Sequence, residues 1–196
     1  MNNKIKILAI SGAVREKSKT ANLSKISKKY FNYPSVEYIL FDLQAKPLPI
    51  FAQKEENSQS ANVQLLLKLA RQADGYVLIS PEYHGSMSGA MKNALDWMDY
   101  LEDIDYFHGK VVGIMGGGGS LGNSGATIQL MMAIRAMHGW LMPDVVMNVQ
   151  KIGNALEGDD FIDESYKSRM RSFSSNLITY TKMFKQNRRG LHSALI

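Results

Sequence analysis

Three short stretches hold most of the residues whose type and spacing suit ligand chemistry. The first is Ser11-Gly12-Ala13-Val14-Arg15-Glu16-Lys17-Ser18-Lys19-Thr20, which follows the apolar run Ile5–Ile10 and precedes a helical pattern. A helix start offers backbone N–H groups without intrahelical partners and a partial positive charge, so it suits an anion such as phosphate. Arg15 can fork onto two phosphate oxygens, and Ser18 and Thr20 add short hydroxyls at the same point. An ordinary turn with a Ser or Thr helix cap has the same composition, so the stretch by itself leaves both readings open. It is neither G-x-G-x-x-G nor a Walker loop, which counts against ordinary dinucleotide and ATP sites.

The second stretch is Ser80-Pro81-Glu82-Tyr83-His84-Gly85-Ser86-Met87-Ser88-Gly89. Pro81 is expected to set a turn where a strand ends, and Ser88 to cap the helix that follows. Gly85 and Gly89 permit close backbone approach to a flat ligand, on which Tyr83 and His84 can edge or stack. His84 also reads as a turn residue with a local hydrogen bond. Glu82 has no second placed carboxylate, so a glycosidase pair is not indicated. The third stretch, Gly116-Gly117-Gly118-Gly119-Ser120 and on through Leu121-Gly122-Asn123-Ser124-Gly125, spells a flexible linker. It sits directly after an apolar strand and shortly before a helix, which favours a ligand-facing loop that exposes backbone N–H groups.

The elements around these loops alternate. Strands are expected near Ile5–Ile10, Val36–Phe41, Gly75–Ser80, Lys110–Met115 and Trp140–Val149, the last broken by Pro143. Helices are expected near Thr20–Phe31, Asn57–Arg71, Ser88–Leu101, Thr127–Met137 and Asp163–Lys185. Near-continuous apolar strands that alternate with helices indicate βαβ units and a parallel sheet covered on both faces. The expected fold is α/β: a doubly wound, five-stranded parallel sheet with helices on both faces, one order open to such a sheet being 2-1-3-4-5. Strands one, three and four are then neighbours, and their three loops line one crevice outside the carboxyl ends of the strands.

Composition narrows the chemistry. The chain has 196 residues, no cysteine, four histidines and a net charge of +5. That length suits one domain, 1–196, with the last ten or so residues a loose tail after Gln186. Without cysteine there is no disulfide scaffold, thiolate zinc site, iron–sulfur cluster or cysteine nucleophile. His84, His108, His138 and His192 lack the spacing of a helical ligand pair, so no metal site is expected. The apolar run at the start is too short for a signal peptide or a membrane span, and a cytoplasmic protein is expected. Arg188-Arg189 with Lys182 and Lys185 is the one basic cluster; no aromatic platform accompanies it, so no nucleic-acid partner is expected.

The segment Ser80–Trp97, SPEYHGSMSGAMKNALDW, resembles the signature of the NADPH-dependent FMN reductase family, with Lys92-Asn93 and Asp96-Trp97 at family positions. Its wording is most similar to the bacterial azobenzene reductase branch. The first loop resembles the family's S-G-S-x-R-x-x-S-x-[NT] pattern through Ser11, Gly12, Arg15, Ser18 and Thr20. Ala13 replaces the usual serine and removes one hydroxyl donor, about 1 kcal/mol of binding. The resemblance implies a flavodoxin-like fold with FMN bound through Ser11, Arg15, Ser18 and Thr20 at the phosphate. It places the ribityl chain and ring edge against Pro81, Glu82, Tyr83, His84, Gly85 and Ser86, and the polar end of the ring at Gly116, Gly117 and Gly118.

The implied activity is ping-pong hydride transfer from NADPH (or NADH) to FMN and then to a small acceptor: an azo dye, quinone, chromate or free flavin. No catalytic side chain is implied. A homodimer or homotetramer is implied, with Trp97, Met98 and Tyr100 on the contacting helix. Two other readings accompany this one, a flavodoxin-type electron carrier and a non-enzymatic FMN-binding redox sensor. Flavodoxins are usually strongly acidic, and a pI of about 9.3 argues against the carrier.

Overall fold

A computed structural model describes residues 4–52, 58–118 and 124–194, with the side chains of Ser124 and of 188–194 outside the description. Asn57, Gly119–Asn123 and the Arg188-Arg189 side chains therefore lie outside the described residues. The elements begin with β1 (Ile5–Ser11), α1 (Lys19–Tyr30), β2 (Val36–Asp42), α2 (Ala61–Gln72), β3 (Gly75–Tyr83) and β4 (Ser86–Met87). They continue with α3 (Gly89–Trp97), β5 (Val111–Gly117), α4 (Ser124–Ala136), β6 (Val146–Val149) and α5 (Ile152–Ala155). The chain closes with β7 (Leu156–Glu157), β8 (Asp160–Phe161) and α6 (Glu164–Ala194).

Successive residues of the apolar strands enter different cores. In β1, Ile5, Ile7 and Ala9 join one buried cluster, and Leu8 and Ile10 the other. In β3, Tyr76 and Leu78 divide from Val77 and Ile79 in the same way. Side chains alternate along a strand, so a run that is apolar at every position belongs to a sheet covered on both faces. Leu23 and Ile26 of α1 and Phe173 and Leu177 of α6 fill one core. Leu66 of α2, Met91 of α3 and Leu130 of α4 fill the other. Gly113 lets α6 lie close on β5, because a Cβ there would be 2.7 Å from Phe173 Cζ.

The main sheet has the order β2-β1-β3-β5-β6, its strands all parallel, which is the expected 2-1-3-4-5. Two short antiparallel pairings were not expected: β4 on β3, and the separate hairpin β7–β8. Pro81 does not end β3. It pairs with Gly117 at the top of the parallel ladder, and Glu82 and Tyr83 continue by pairing with Met87 and Ser86. The turn between them is His84-Gly85, with φ of 53° and 74°. Two positive φ values match the right-handed twist of a two-residue hairpin.

Three other boundaries differ. Trp140 makes one bridge to Val111, Pro143–Val145 forms a tight helical turn, and β6 proper is only four residues. Helix α3 stops at Trp97 and tightens into 3₁₀ geometry over Met98–Ile104. Helix α6 continues to Ala194, past the expected end at Lys185; its glycine, Gly190, costs a helix only about 1 kcal/mol. The histidines are less scattered than their spacing suggests, since His108 and His138 both contact the Asp105 carboxylate.

Among the described residues, the Thr181 hydroxyl of α6 is buried without a hydrogen-bond partner. An unsatisfied buried hydroxyl costs about 1–3 kcal/mol. Thr181→Val keeps the shape and removes that penalty. It is expected to stabilise the protein by about 1 kcal/mol, read as a higher denaturation midpoint at unchanged slope.

Candidate functional site

The chain leaves β1 for a helix on one face of the sheet and leaves β3 for a helix on the other. A crevice opens where neighbouring strands diverge in this way, outside their carboxyl ends. Here it is a cleft of about 550 Å³. The first loop contributes Arg15, Ser18, Lys19 and Thr20; β3 contributes Pro81, Glu82 and Tyr83; β5 and its exit contribute Gly117 and Gly118. The three stretches singled out in the sequence therefore meet in one place.

The first loop is built as a helix entrance. Lys17 has a φ of 54°, and the Ser18 N–H donates to Arg15 O at 3.2 Å, closing a tight turn. Ser18 caps α1, its Oγ accepting from the Ala21 N–H at 3.4 Å. A hydroxyl has one proton and two lone pairs, so Ser18 keeps its proton for an acceptor in the cleft. The Thr20 hydroxyl donates to Gly117 O at 3.4 Å and joins the first wall to the third. Arg15 and Lys19 are exposed beside this helix start, which gives the end of the cleft the chemistry of an anion site.

The second loop is held from both sides. Ser88 caps α3, accepting from the Met91 N–H at 3.1 Å, and its own proton goes to Gly12 O at 2.8 Å. That contact needs Gly12, where a Cβ would be 2.6 Å from Ser88 Oγ. On the other side the Glu82 carboxylate accepts from the Ala126 N–H at 3.1 Å, capping the first turn of α4. A Cβ on Gly125 would be 2.2 Å from Gly85 O, so the hairpin turn rests directly on that helix start.

Several expected site residues do not line the cleft. Ser11 is buried below it, its Oγ 2.8 Å from Ser24 Oγ. His84 and Gly85 form the hairpin turn, Ser86 is in β4, and Gly116 is buried within β5. Ala13 is fully buried and also off the cleft, so its methyl leaves no gap in the wall. Of the third stretch, Gly116 and Gly117 lie in β5 and the Gly118 N–H donates to Val149 O at 3.2 Å; its residues 119–123 lie outside the described residues. Gly117 lets its neighbours pack closely: a Cβ there would be 2.2 Å from Ile152 Cδ1, the tip of that side chain, and 2.9 Å from Thr20 Oγ1.

A fourth wall was missed. Lys151, Ile152, Gly153 and Asn154, just after β6, complete the cleft. Gly118 ties them in, accepting from the Ile152 N–H at 3.2 Å. Their signal was the strand order itself, which also brings the end of the fifth strand to the crevice.

Comparison with known proteins gives the family and the fold. Residues 5–153 match the family model for NADPH-dependent FMN reductase. An FMN-dependent NADPH-azoreductase of Staphylococcus saprophyticus is 31% identical over 184 residues, spanning 91% of this chain and 96% of that one. Its counterpart in Staphylococcus aureus is 28% identical, spanning 90% and 95%. Among solved structures, FerB, a flavoenzyme NAD(P)H:(acceptor) oxidoreductase from Paracoccus denitrificans, shares the fold at a TM-score of 0.78 and 21% identity. That match covers 92% of this chain and 98% of FerB.

The Glu82 cap gives a test of how the second wall is held. Glu82→Ala leaves the first turn of α4 short of an acceptor and is expected to cost about 1 kcal/mol of stability. Glu82→Gln keeps an acceptor oxygen and is expected to lose less, with both read from urea unfolding.

Proposed function

The chain belongs to the NADPH-dependent FMN reductase family and is an FMN-dependent NAD(P)H oxidoreductase; we propose that FMN occupies the 550 Å³ cleft and that the acceptor is a small azo or quinone compound. The observation that carries the placement is the cationic helix entrance at one end of a crevice formed between β1 and β3. A cleft of this size is in the range that holds cofactors, roughly 300–1,000 Å³. The donor set fits a phosphate monoester: the start of α1, the Ser18 proton, and the Arg15 and Lys19 cations. Pro81, Glu82 and Tyr83 on one side and Gly117 and Gly118 on another leave room for a flat ring system. The reading takes residues 1–196 as one FMN-binding domain.

FMN, when bound, supplies the hydride chemistry that links the nicotinamide donor to the acceptor. The part of this chain is to hold and orient. Arg15, Lys19 and the α1 entrance balance the phosphate charge. Ser88 and Glu82 fix the second wall, so the cleft keeps its width when a ligand enters. No protein nucleophile or general base is assigned, because hydride transfer needs none.

We also infer that two copies associate through α4. Ala126, Leu130 and Ile134 face the core, while Ile128 and Met132 on the outer side are 55% and 63% exposed. A helix that is apolar on both sides calls for burial on both. Of the expected contact residues, Trp97 and Met98 are fully buried, with Trp97 Nε1 donating to Pro49 O at 2.8 Å, while Tyr100 is 38% exposed. No helix among the described residues is long and apolar enough to cross a membrane. A nicotinamide nucleotide donor supports the cytoplasm as the working compartment.

The purified protein is expected to be yellow, or to take up FMN, and to bleach with NADPH in the absence of oxygen. A colourless protein that takes up no FMN overturns the cofactor placement. Arg15→Ala is expected to weaken FMN binding by about ten-fold or more while leaving the unfolding midpoint unchanged. Met132→Lys is expected to shift the protein from dimer to monomer in sedimentation, and an unchanged distribution argues against the α4 contact.

A further inference from the structure

Lys151 lies on the wall of the cleft that the sequence did not reveal, at the exit of β6. Its backbone is left-handed, with φ 44° and ψ 46°. That conformation disfavours any residue with a Cβ, typically by about 1–2 kcal/mol, and persists only where its surroundings hold it. The surroundings here are specific. The Asn154 N–H donates to Lys151 O at 2.7 Å, and the Ile152 N–H donates to Gly118 O at 3.2 Å. Ile152 packs against the bare Cα of Gly117, next to the Thr20 hydroxyl at the entrance of α1. The turn that carries Lys151 is thus anchored to the same residues that form the anion end of the cleft.

The charge count points the same way. Arg15, Lys19 and Lys151 are three cations on one cleft. Among the described residues none of them is in an ion pair. The one carboxylate among the described lining residues, Glu82, is engaged at the Ala126 N–H. Clustered cations repel one another, and a doubly charged anion between them removes that repulsion.

We infer that Lys151 is a phosphate-monoester ligand, reaching the anion from the β6 exit that lines the same cleft as Arg15. The inference rests on the placement of FMN in this cleft. Two molecules of this enzyme's reaction carry such a group, FMN at its 5′-phosphate and NADPH at its 2′-phosphate.

The test replaces the cation without disturbing the turn. Lys151→Asn is suited to it, since asparagine tolerates the left-handed region, and Lys151→Arg restores the charge. Apoprotein is titrated with FMN and with riboflavin, which lacks the phosphate. Holoprotein is titrated by calorimetry with NADP⁺ and with NAD⁺. Lys151→Asn is expected to weaken FMN relative to riboflavin, or NADP⁺ relative to NAD⁺, by about ten-fold, with Lys151→Arg recovering most of it. The first pattern assigns the 5′-phosphate and the second the 2′-phosphate. Equal changes within both pairs, or none, overturn the role of Lys151. Failure of the wild-type protein to bind either flavin overturns the cofactor placement itself, a separate result.

Discussion

The Ser88 hydroxyl makes two hydrogen bonds in opposite senses, and the geometry of the site depends on them. Its oxygen accepts from the first turn of α3, and its proton goes to the carbonyl of Gly12 in the loop after β1. Ser80 joins the same chain, its Oγ accepting from the Ser88 N–H at 3.0 Å. The two loops lead to helices on opposite faces of the sheet, so nothing in the helix packing itself sets the distance between them. A buried hydroxyl that fills both its donor and acceptor capacity does so, provided position 12 has no side chain.

The other walls are fixed by the same economy of small groups. Thr20 reaches Gly117, Gly117 admits Ile152, and Gly118 takes backbone bonds from both sides of the β6 exit. Glycine acts here through what it does not occupy. At Gly117 the missing side chain leaves room for Ile152 and Thr20. Walls tied together in this way suit a reductase whose chemistry resides in its cofactor, where the protein binds and orients.

Several sequence signals were ambiguous because one residue type serves two purposes. Pro81 reads as a turn former, yet it sits at the end of a parallel ladder where its missing N–H does no harm, and the strand carries on into a hairpin. The resemblance implied a subunit contact through the helix that carries Trp97, Met98 and Tyr100. Trp97 and Met98 are instead buried, and the indole donates to the carbonyl of Pro49, 48 residues earlier in the chain. Glu82 reads as a ligand contact, and its carboxylate serves as a helix cap for α4.

What the sequence determined by itself was local: apolar strands doubled-faced by their lack of alternation, serine caps at 18 and 88, and a helix entrance rich in cations. The flavodoxin-like resemblance implied the strand order, and with it the meeting of three loops. The family signature over Ser80–Trp97 then supplied the cofactor. Only the tertiary structure decided which side chains face the cleft. Ser11 and Ala13 went beneath it, and His84 onto the turn. Lys151 was brought in from a segment with no motif of its own. The reason is physical: periodicity and capping are set by neighbours a few residues away, whereas the wall of a cleft is made of contacts between residues such as Gly117 and Ile152, whose meeting no local pattern encodes.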